Sequence, residues 1–252
     1  MRALLLTQVL HRRLKSFSYE RPGNRRHKSR AAYAARLFSW NYVNLLAMTA
    51  TMKPLPIRLI VGLGNPGSEY ERTRHNAGCW AIDDMARVLG ASSFSADKKM
   101  KADIASAQLD GRKVWLMKPQ TFMNCSGHSV GPFARFHDIQ PQEILVVHDE
   151  LDLLPGQLRV KLGGSSGGHN GLKDIQSALG TPDYWRLRIG IGHPRSLQLN
   201  QGVADFVLHR PRQEEQIDID RAIDRLGAET VTLVRGDMAE AQRLLHPAPK
   251  VA

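Results

Sequence analysis

Cysteine is scarce in this sequence, and it contains no apolar run of membrane length. The 252 residues include two cysteines, Cys79 and Cys125, too few for the disulfide framework of a small secreted domain. No stretch reaches the roughly 18 apolar residues that a membrane-spanning helix needs. We therefore expect a chain without a membrane partner, in a reducing compartment, with both thiols buried among apolar neighbours.

Acidic residues are nearly absent from the first 52 positions. Residues 1–52 hold ten Lys and Arg and one acid, Glu20, whereas residues 53–252 hold 25 basic and 23 acidic residues, so +9 of the formal +11 lies in the first segment. Such a composition is typical of an organellar transit peptide, and it would also arise if translation began at Met48 or Met52. We favour the second interpretation, because Met52 and Lys53 directly precede the first predicted strand. Either way, we predict a disordered basic leader over 1–52 and a folded domain over 53–252.

Short apolar runs alternate with segments of helical spacing from residue 57 onward. This alternation predicts a single α/β domain, a twisted mixed sheet flanked by helices. The predicted strands are 57–63, 114–117, 144–147, 157–162 and 187–191; the predicted helices are 76–89, 126–136, 171–179 and two within 213–245 that are separated by Gly236.

Two glycine-rich stretches match motifs that the surrounding sequence does not support. The stretch from Gly62 to Gly67 has the dinucleotide pattern G-x-G-x-x-G, but there the helix begins within the glycines, and here Pro66-Gly67 favours a turn. The stretch from Gly163 to Gly167 has the nucleophile pattern G-x-S-x-G around Ser165, but a buried strand must precede that serine, and this strand is half basic. We expect neither NAD binding nor a serine nucleophile.

Charged residues cluster after the predicted strand 144–147 and on two later strands. His148-Asp149-Glu150 lacks the companion histidines of a metal site, so we predict no metal. Arg159 and Lys161 share one strand face, as do Arg186 and Arg188. Side by side, the two strands would present a small basic patch able to hold phosphates, although exposed basic strand faces more often serve solubility.

Six stretches together carry a resemblance to a known family. They are Ile60 to Gly67, Tyr70 with Thr73-Arg74-His75-Asn76-Ala77-Gly78, Lys118 to Asn124, His148 to Asp152, Gly167 to Asp174, and Arg186 to Pro194. In order and spacing this set closely resembles the bacterial-type peptidyl-tRNA hydrolases over roughly residues 57–245. The resemblance implies hydrolysis of the ester between peptide and tRNA by direct water attack, with no metal or organic cofactor.

Catalytic roles follow from the resemblance position by position. His75 matches the general base, a task that suits imidazole because its ordinary pKa of about 6.5 lets it accept a proton near neutrality. Asp149 matches the carboxylate that orients this imidazole. Asn65 matches the residue that reads the first amide of the peptide.

Substrate contacts are implied in the same way. The resemblance places Tyr70, Phe122, Met123, Asn124, His169 and Asn170 at the 3′ end of the tRNA, and Arg159, Lys161 and Arg188 at acceptor-stem phosphates. Ordinary packing remains open for Tyr70 and Phe122, and helix capping for the two asparagines. The sequence departs from the family pattern at Ser165-Ser166 and at Arg195 to Gln198, which puts a lysine contact there in doubt.

The function that we expect is therefore that of a cytoplasmic, monomeric peptidyl-tRNA hydrolase, organellar if the leader is a transit peptide. The alternative is a non-catalytic RNA-binding protein of the same fold, of the organellar splicing-factor type. The presence of both His75 and Asp149 favours catalysis.

Overall fold

A computed structural model describes residues 55–247, and the leader predicted for 1–52 lies outside this range. Within it, seven strands form one mixed sheet in the order β2-β3-β4-β1-β5-β7-β6. Four neighbouring strands run parallel, β4, β1, β5 and β7, while β2, β3 and β6 are antiparallel to their neighbours. The bounds are β1 Leu59–Gly62, β2 Ser95–Asp97, β3 Ala102–Leu109, β4 Arg112–Pro119, β5 Ile144–Glu150, β6 Leu158–Leu162 and β7 Trp185–Gly190.

Helices cover both faces of this sheet. They are α1 Ala77–Val88, α2 Gly127–Phe136, α3 Asn170–Leu179, α4 Val203–Val207, α5 Gln213–Val234 and α6 Met238–Leu245. One apolar core joins the sheet to α1, α5 and α6, and a second joins its other face to α2 and α3. Among residues 55–247, no helix combines the length and the apolar character needed to cross a bilayer.

The predicted α/β class is confirmed, and most predicted elements are present. The sequence prediction missed β2, β3 and α4. Strand β3 has the sequence ADIASAQL, whose small residues lack the branched and aromatic side chains typical of strands. It is held by eight register pairs with β4, so tertiary pairing decides its conformation. The first predicted helix begins one residue later, at Ala77, after a 3-10 turn over Arg74–Asn76.

The parallel strands bring several loops to one edge of the sheet. Because the carboxyl ends of parallel strands lie at the same edge, ligand sites of open α/β sheets form there. The loop with Asn65 and His75 follows β1, the turn with Met123 follows β4, and Asp149 lies near the end of β5. Topology therefore places distant motifs beside each other.

Helix α1 packs against β1 and β5 at a distance that only glycine permits. A Cβ added to Gly78 would lie 2.3 Å from the Val147 carbonyl oxygen, and one on Gly62 would lie 2.6 Å from the Gly78 carbonyl oxygen. Real Cβ atoms do not approach backbone this closely. The two glycines thus set the start of α1, and with it the position of the preceding 3-10 turn.

A buried ion pair ties that turn to α5. Arg74 donates from Nη2 to Glu215 Oε2 at 2.6 Å, and from Nη1 to the carbonyl oxygens of Phe206 and His209. The side chains of Arg74 and Glu215 are only 4% and 6% exposed. Breaking a buried pair is costly because the remaining charge is left without compensation.

We expect Glu215→Gln to lower the free energy of unfolding by about 3–5 kcal/mol, since Arg74 would lose its only carboxylate partner among the described residues. Urea unfolding at neutral pH measures this. Glu214→Gln is the matched control, because Glu214 is exposed on the same turn of α5. Equal stability of the two variants would contradict the assignment.

Candidate active site

The carboxyl edge of the sheet brings together an imidazole and a carboxylate that lie 74 positions apart. His75 Nδ1 is 3.0 Å from both Oδ1 and Oδ2 of Asp149. The Asp149 side chain is 2% exposed, whereas that of His75 is 12% exposed. Since the carboxylate can only accept, Nδ1 carries the proton and Nε2 keeps its lone pair. The predicted pair is thus formed, with the tautomer that a general base requires.

A second imidazole shares the same carboxylate. His169 Nε2 lies 3.0 Å from Asp149 Oδ1, and the rings of His169 and His75 are 4.9 Å apart between centroids. His169 is also the N-cap of α3, where its Nδ1 accepts the backbone N–H of Leu172 at 3.4 Å. Its Nε2 must therefore be the donor to Asp149. Two imidazole N–H groups thus donate to one buried carboxylate.

This arrangement shifts the pKa values of both partners. Burial works to lower the pKa of His75, but the charge of Asp149 and the hydrogen bond to it outweigh burial and raise that pKa above 6.5. Burial works to raise the pKa of Asp149, but His75 and His169 together hold it well below its usual range. Asp149 is therefore a carboxylate throughout the neutral range.

Behind this pair lies a third histidine that carries no charge. His148 is 1% exposed, and its Nδ1 is 2.7 Å from the backbone oxygen of Asp149. Burial, with the nearby His169 and Arg186, lowers the pKa of His148 to about 3. A neutral ring here supports the backbone of Asp149 without competing for its carboxylate.

Asn65 is held on three sides. Its backbone N–H donates to Asn76 Oδ1 and its carbonyl oxygen accepts from Asn76 Nδ2, both at 2.9 Å. Its side-chain Oδ1 accepts the backbone N–H of Met123 at 2.7 Å. The acceptor of the Asn65 amide is thus occupied, and its Nδ2 remains as the group able to donate.

Asn76 was not singled out as a site residue in the sequence, although it stands directly after His75. Only its contacts with the Asn65 backbone, across eleven positions, reveal its role.

The remaining pocket residues lie around this centre. Tyr70 and Phe122 meet edge to face with centroids 6.4 Å apart, and Phe122 is 59% exposed. A Cβ on Gly171 would contact both Met123 Sδ and His169, so these two predicted residues are neighbours. Asn124 and Asn170 are exposed.

The helix-capping alternative for the two asparagines is not supported. Asn170 is the first residue of α3, and His169 supplies the cap. Asn124 lies inside the 3-10 turn Met123–Cys125, where no side chain forms a cap bond.

The predicted basic patch is only partly formed. Arg159 and Arg188 pair in register on β6 and β7, and Lys161 is exposed. Arg188 Nε binds Glu150 Oε2 at 2.7 Å, while Arg159 donates to the carbonyl oxygens of Leu158 and His246.

The interpretation of Arg186 as part of that patch is wrong. Arg186 is 3% exposed, and its two Nη atoms donate to the carbonyl oxygens of Gly164 and Ser165. The loop that follows β6 passes over this side chain, whereas Arg188, two residues further along β7, stays partly exposed. The buried arginine fastens the glycine loop instead of facing solvent.

The two alternative motifs differ from their templates in geometry. Helix α1 begins at Ala77, ten residues after Gly67, so no helix opens within the glycines. Ser165 follows β6, an edge strand with a half-exposed face.

Cys79 is half-buried, and burial raises the pKa of its thiol to about 12, so it is not a thiolate nucleophile at neutral pH.

Among residues 55–247, one group of side chains has the spacing of a metal site, namely His75, Asp149 and His169. The hydrogen bonds put protons on the two ring nitrogens that face Asp149. A metal ion needs lone pairs at those atoms, so an ion bound here would replace the two hydrogen bonds.

Comparisons with known proteins point to one family. The family model described as peptidyl-tRNA hydrolase matches residues 59–251. The peptidyl-tRNA hydrolase of Bordetella avium is 59% identical over 193 residues, covering 77% of this chain and 93% of that protein. That of Neisseria gonorrhoeae is 51% identical and covers 75% and 97%. The crystal structure of peptidyl-tRNA hydrolase from Acinetobacter baumannii aligns with a TM-score of 0.71 at 44% identity, covering 76% and 95%.

We expect Asp149→Asn to lower the pKa of His75, because burial would remain while the charge that opposes it is removed. An NMR titration of the imidazole measures this shift. The matched control is Asp152→Asn, a change at an exposed carboxylate three residues along the chain. An unchanged pKa of His75 in the Asp149 variant would refute the coupling.

Proposed function

Because the chain belongs to the peptidyl-tRNA hydrolase family and hydrolyses the ester between peptide and tRNA, we propose that His75 is the general base of this reaction. The observation that carries the proposal is the contact between His75 Nδ1 and the buried Asp149 carboxylate. It leaves Nε2 as the proton acceptor on the less buried of the two side chains. The alternative of a non-catalytic RNA-binding protein is not favoured.

The proposed reaction needs one water and no covalent intermediate. His75 Nε2 takes a proton from water as its oxygen bonds to the ester carbonyl carbon, and Asp149 stabilises the resulting imidazolium. The tetrahedral intermediate then breaks its bond to the 3′ oxygen of the tRNA, which receives the proton from Nε2. The products are a free peptide acid and a free tRNA hydroxyl, and His75 returns to its neutral state.

Asn65 supplies the feature that selects a peptide. Met123 N–H already donates to its Oδ1, whereas the two N–H donors of Asn65 Nδ2 form no side-chain hydrogen bond among residues 55–247. We propose that these donors bind a backbone carbonyl oxygen in the peptide part of the substrate. A free aminoacyl group lacks a second backbone carbonyl, so this bond would distinguish the two.

The 3′ end of the tRNA is assigned to the exposed side chains around this centre. Tyr70 and Phe122 offer aromatic faces, on which a base stacks at about 1–3 kcal/mol. Met123 and His169 line the same pocket. Asn124 and Asn170 are exposed and supply amide groups that suit the attacking water and the terminal ribose.

Acceptor-stem phosphates are assigned to the strands β6 and β7. Lys161 forms no ion pair among residues 55–247, so its ammonium is available to a phosphate. Arg159, two residues earlier on β6, is in register with Arg188 on β7. We place this activity in the cytoplasm, where ribosomes produce the substrate, and we propose that a monomer carries it out.

We expect His75→Ala to lower kcat on an N-blocked aminoacyl-tRNA by about 10²–10⁴-fold, the usual contribution of a general base. KM should change little, because His75 acts on water. Added imidazole should restore part of the rate in this variant alone. His128→Ala, at an exposed position on α2, is the control. Full activity of the His75 variant would overturn the mechanism.

We expect Asn65→Asp to lower kcat/KM on the N-blocked substrate by about 10- to 100-fold, the loss of one or two hydrogen bonds. An aspartate can still accept from Met123 N–H, but it cannot donate to a carbonyl oxygen. Hydrolysis of the corresponding free aminoacyl-tRNA should not fall by the same factor. Asn200→Asp, an exposed change of the same charge, controls for electrostatics. An equal loss on both substrates would contradict a role in selection.

A further inference from the structure

A surface outside the site combines stacked aromatic rings with lysines that have no acidic partner among the described residues. Phe136 and His137 end α2, and Trp115 on β4 packs 4.7 Å from His137 between ring centroids. Phe136 is 68% exposed although its ring meets that of His137 at 4.9 Å. Because the ring of His137 packs against it, the largely exposed ring of Phe136 is held in place and offers a flat face to a ligand.

Three lysines surround these rings. Lys113 Nζ lies 3.7 Å from the Trp115 ring centroid, and Lys99 Nζ lies 5.5 Å from that of Phe136. Lys98 lines a cavity of about 440 Å³ whose wall includes Trp115. None of the three forms an ion pair within residues 55–247.

Three acidic groups lie near this surface, and among residues 55–247 only one of them, Glu143, pairs with a cation. Asp97 accepts the backbone N–H of Met100, and Glu143 pairs with Arg58. Asp138 receives a long contact from Gln140. Burial, with Lys113 and Arg58, lowers the pKa of His137, so its ring is neutral at neutral pH and adds an uncharged face to a basic surround.

The fold connects this surface to the active site. Helix α2 begins just after the 3-10 turn that carries Met123 and Asn124, and its ten residues lead about 15 Å away at 1.5 Å per residue. A nucleic-acid helix advances about 3.4 Å per base pair, so the separation equals about four base pairs. A tRNA whose 3′ end enters the site is long enough to reach the surface.

We propose that Lys98, Lys99, Lys113, Trp115, Phe136 and His137 form a second tRNA-binding surface, which we call the α2 surface. Its lysines neutralise backbone phosphates, and the exposed ring of Phe136 stacks on an unpaired base. It lies towards the β2 end of the sheet, whereas Arg159, Lys161 and Arg188 lie at the β6 end. The two surfaces thus contact different parts of one RNA.

The proposal rests on peptidyl-tRNA as substrate but not on the role of His75. Its test compares two substrates, an N-acetylated aminoacyl-tRNA and the same ester on a short oligonucleotide that ends in CCA. The variants are K99Q/K113Q and F136A. The control is R221Q/R243Q, which removes two exposed cations from α5 and α6 on the opposite side of the sheet.

We expect K99Q/K113Q to raise KM for the full tRNA by about tenfold, and to reduce the slope of log KM against log salt by about two, one for each phosphate that a lysine no longer neutralises. F136A should raise KM by about 5- to 100-fold with its salt slope unchanged. The short substrate should respond to neither variant, and kcat should stay the same on both.

An unchanged KM for the full tRNA in both variants would overturn the proposal and would point to a protein partner for the exposed ring. An equal rise on both substrates would also overturn it, because the damage would then lie in the catalytic pocket. A rise in KM of the same size in the control double variant would overturn it as well, since net charge alone would then explain the effect. Thermal unfolding verifies that each variant is folded.

Discussion

The buried carboxylate of Asp149 is the constraint on which the site depends. An anion that is 2% exposed costs several kcal/mol in lost hydration unless donors surround it. Two imidazoles, His75 and His169, meet that requirement from loops that follow different strands. The same bonds direct one N–H of each ring at the carboxylate, which leaves the Nε2 of His75 on the side away from Asp149.

The rest of the fold keeps these donors in register with their acceptor. Gly78 lets α1 approach the β5 backbone closely, which sets the start of the helix beside the His75 turn. Arg74 anchors that turn to α5 from the other side, through Glu215. Asn76, the residue after His75, then holds the backbone of Asn65, so that the side chains of Asn65 and His75 are positioned by one connected set of contacts. Catalytic groups work only when such supports keep them within fractions of an ångström of their productive positions.

Sequence reasoning predicted the class of the fold and most of its elements, because apolar periodicity reports directly on burial. It failed where contacts with neighbouring strands and loops, rather than local strand propensity, determine conformation and burial. Strand β3 contains mostly small residues and is defined by pairing with β4. Arg186 alternates with Arg188 along β7, yet one is buried under the glycine loop and the other binds Glu150 at the surface. The identity of a basic residue in a strand does not indicate whether backbone carbonyl groups from another part of the chain will bind and bury its side chain.

By itself, the sequence determined the order of most strands and helices, the motifs that carry the family resemblance, and the chemical type of most groups in the site. These are local properties, because they depend on the spacing of apolar residues and on short stretches of chain. The tertiary structure alone decided that Asp149 binds two histidines, that the Oδ1 of Asn65 accepts the Met123 N–H, and that Phe136 remains exposed among lysines. Hydrogen-bond direction and exposure depend on which atoms meet across the fold, and that is fixed only when the chain is packed.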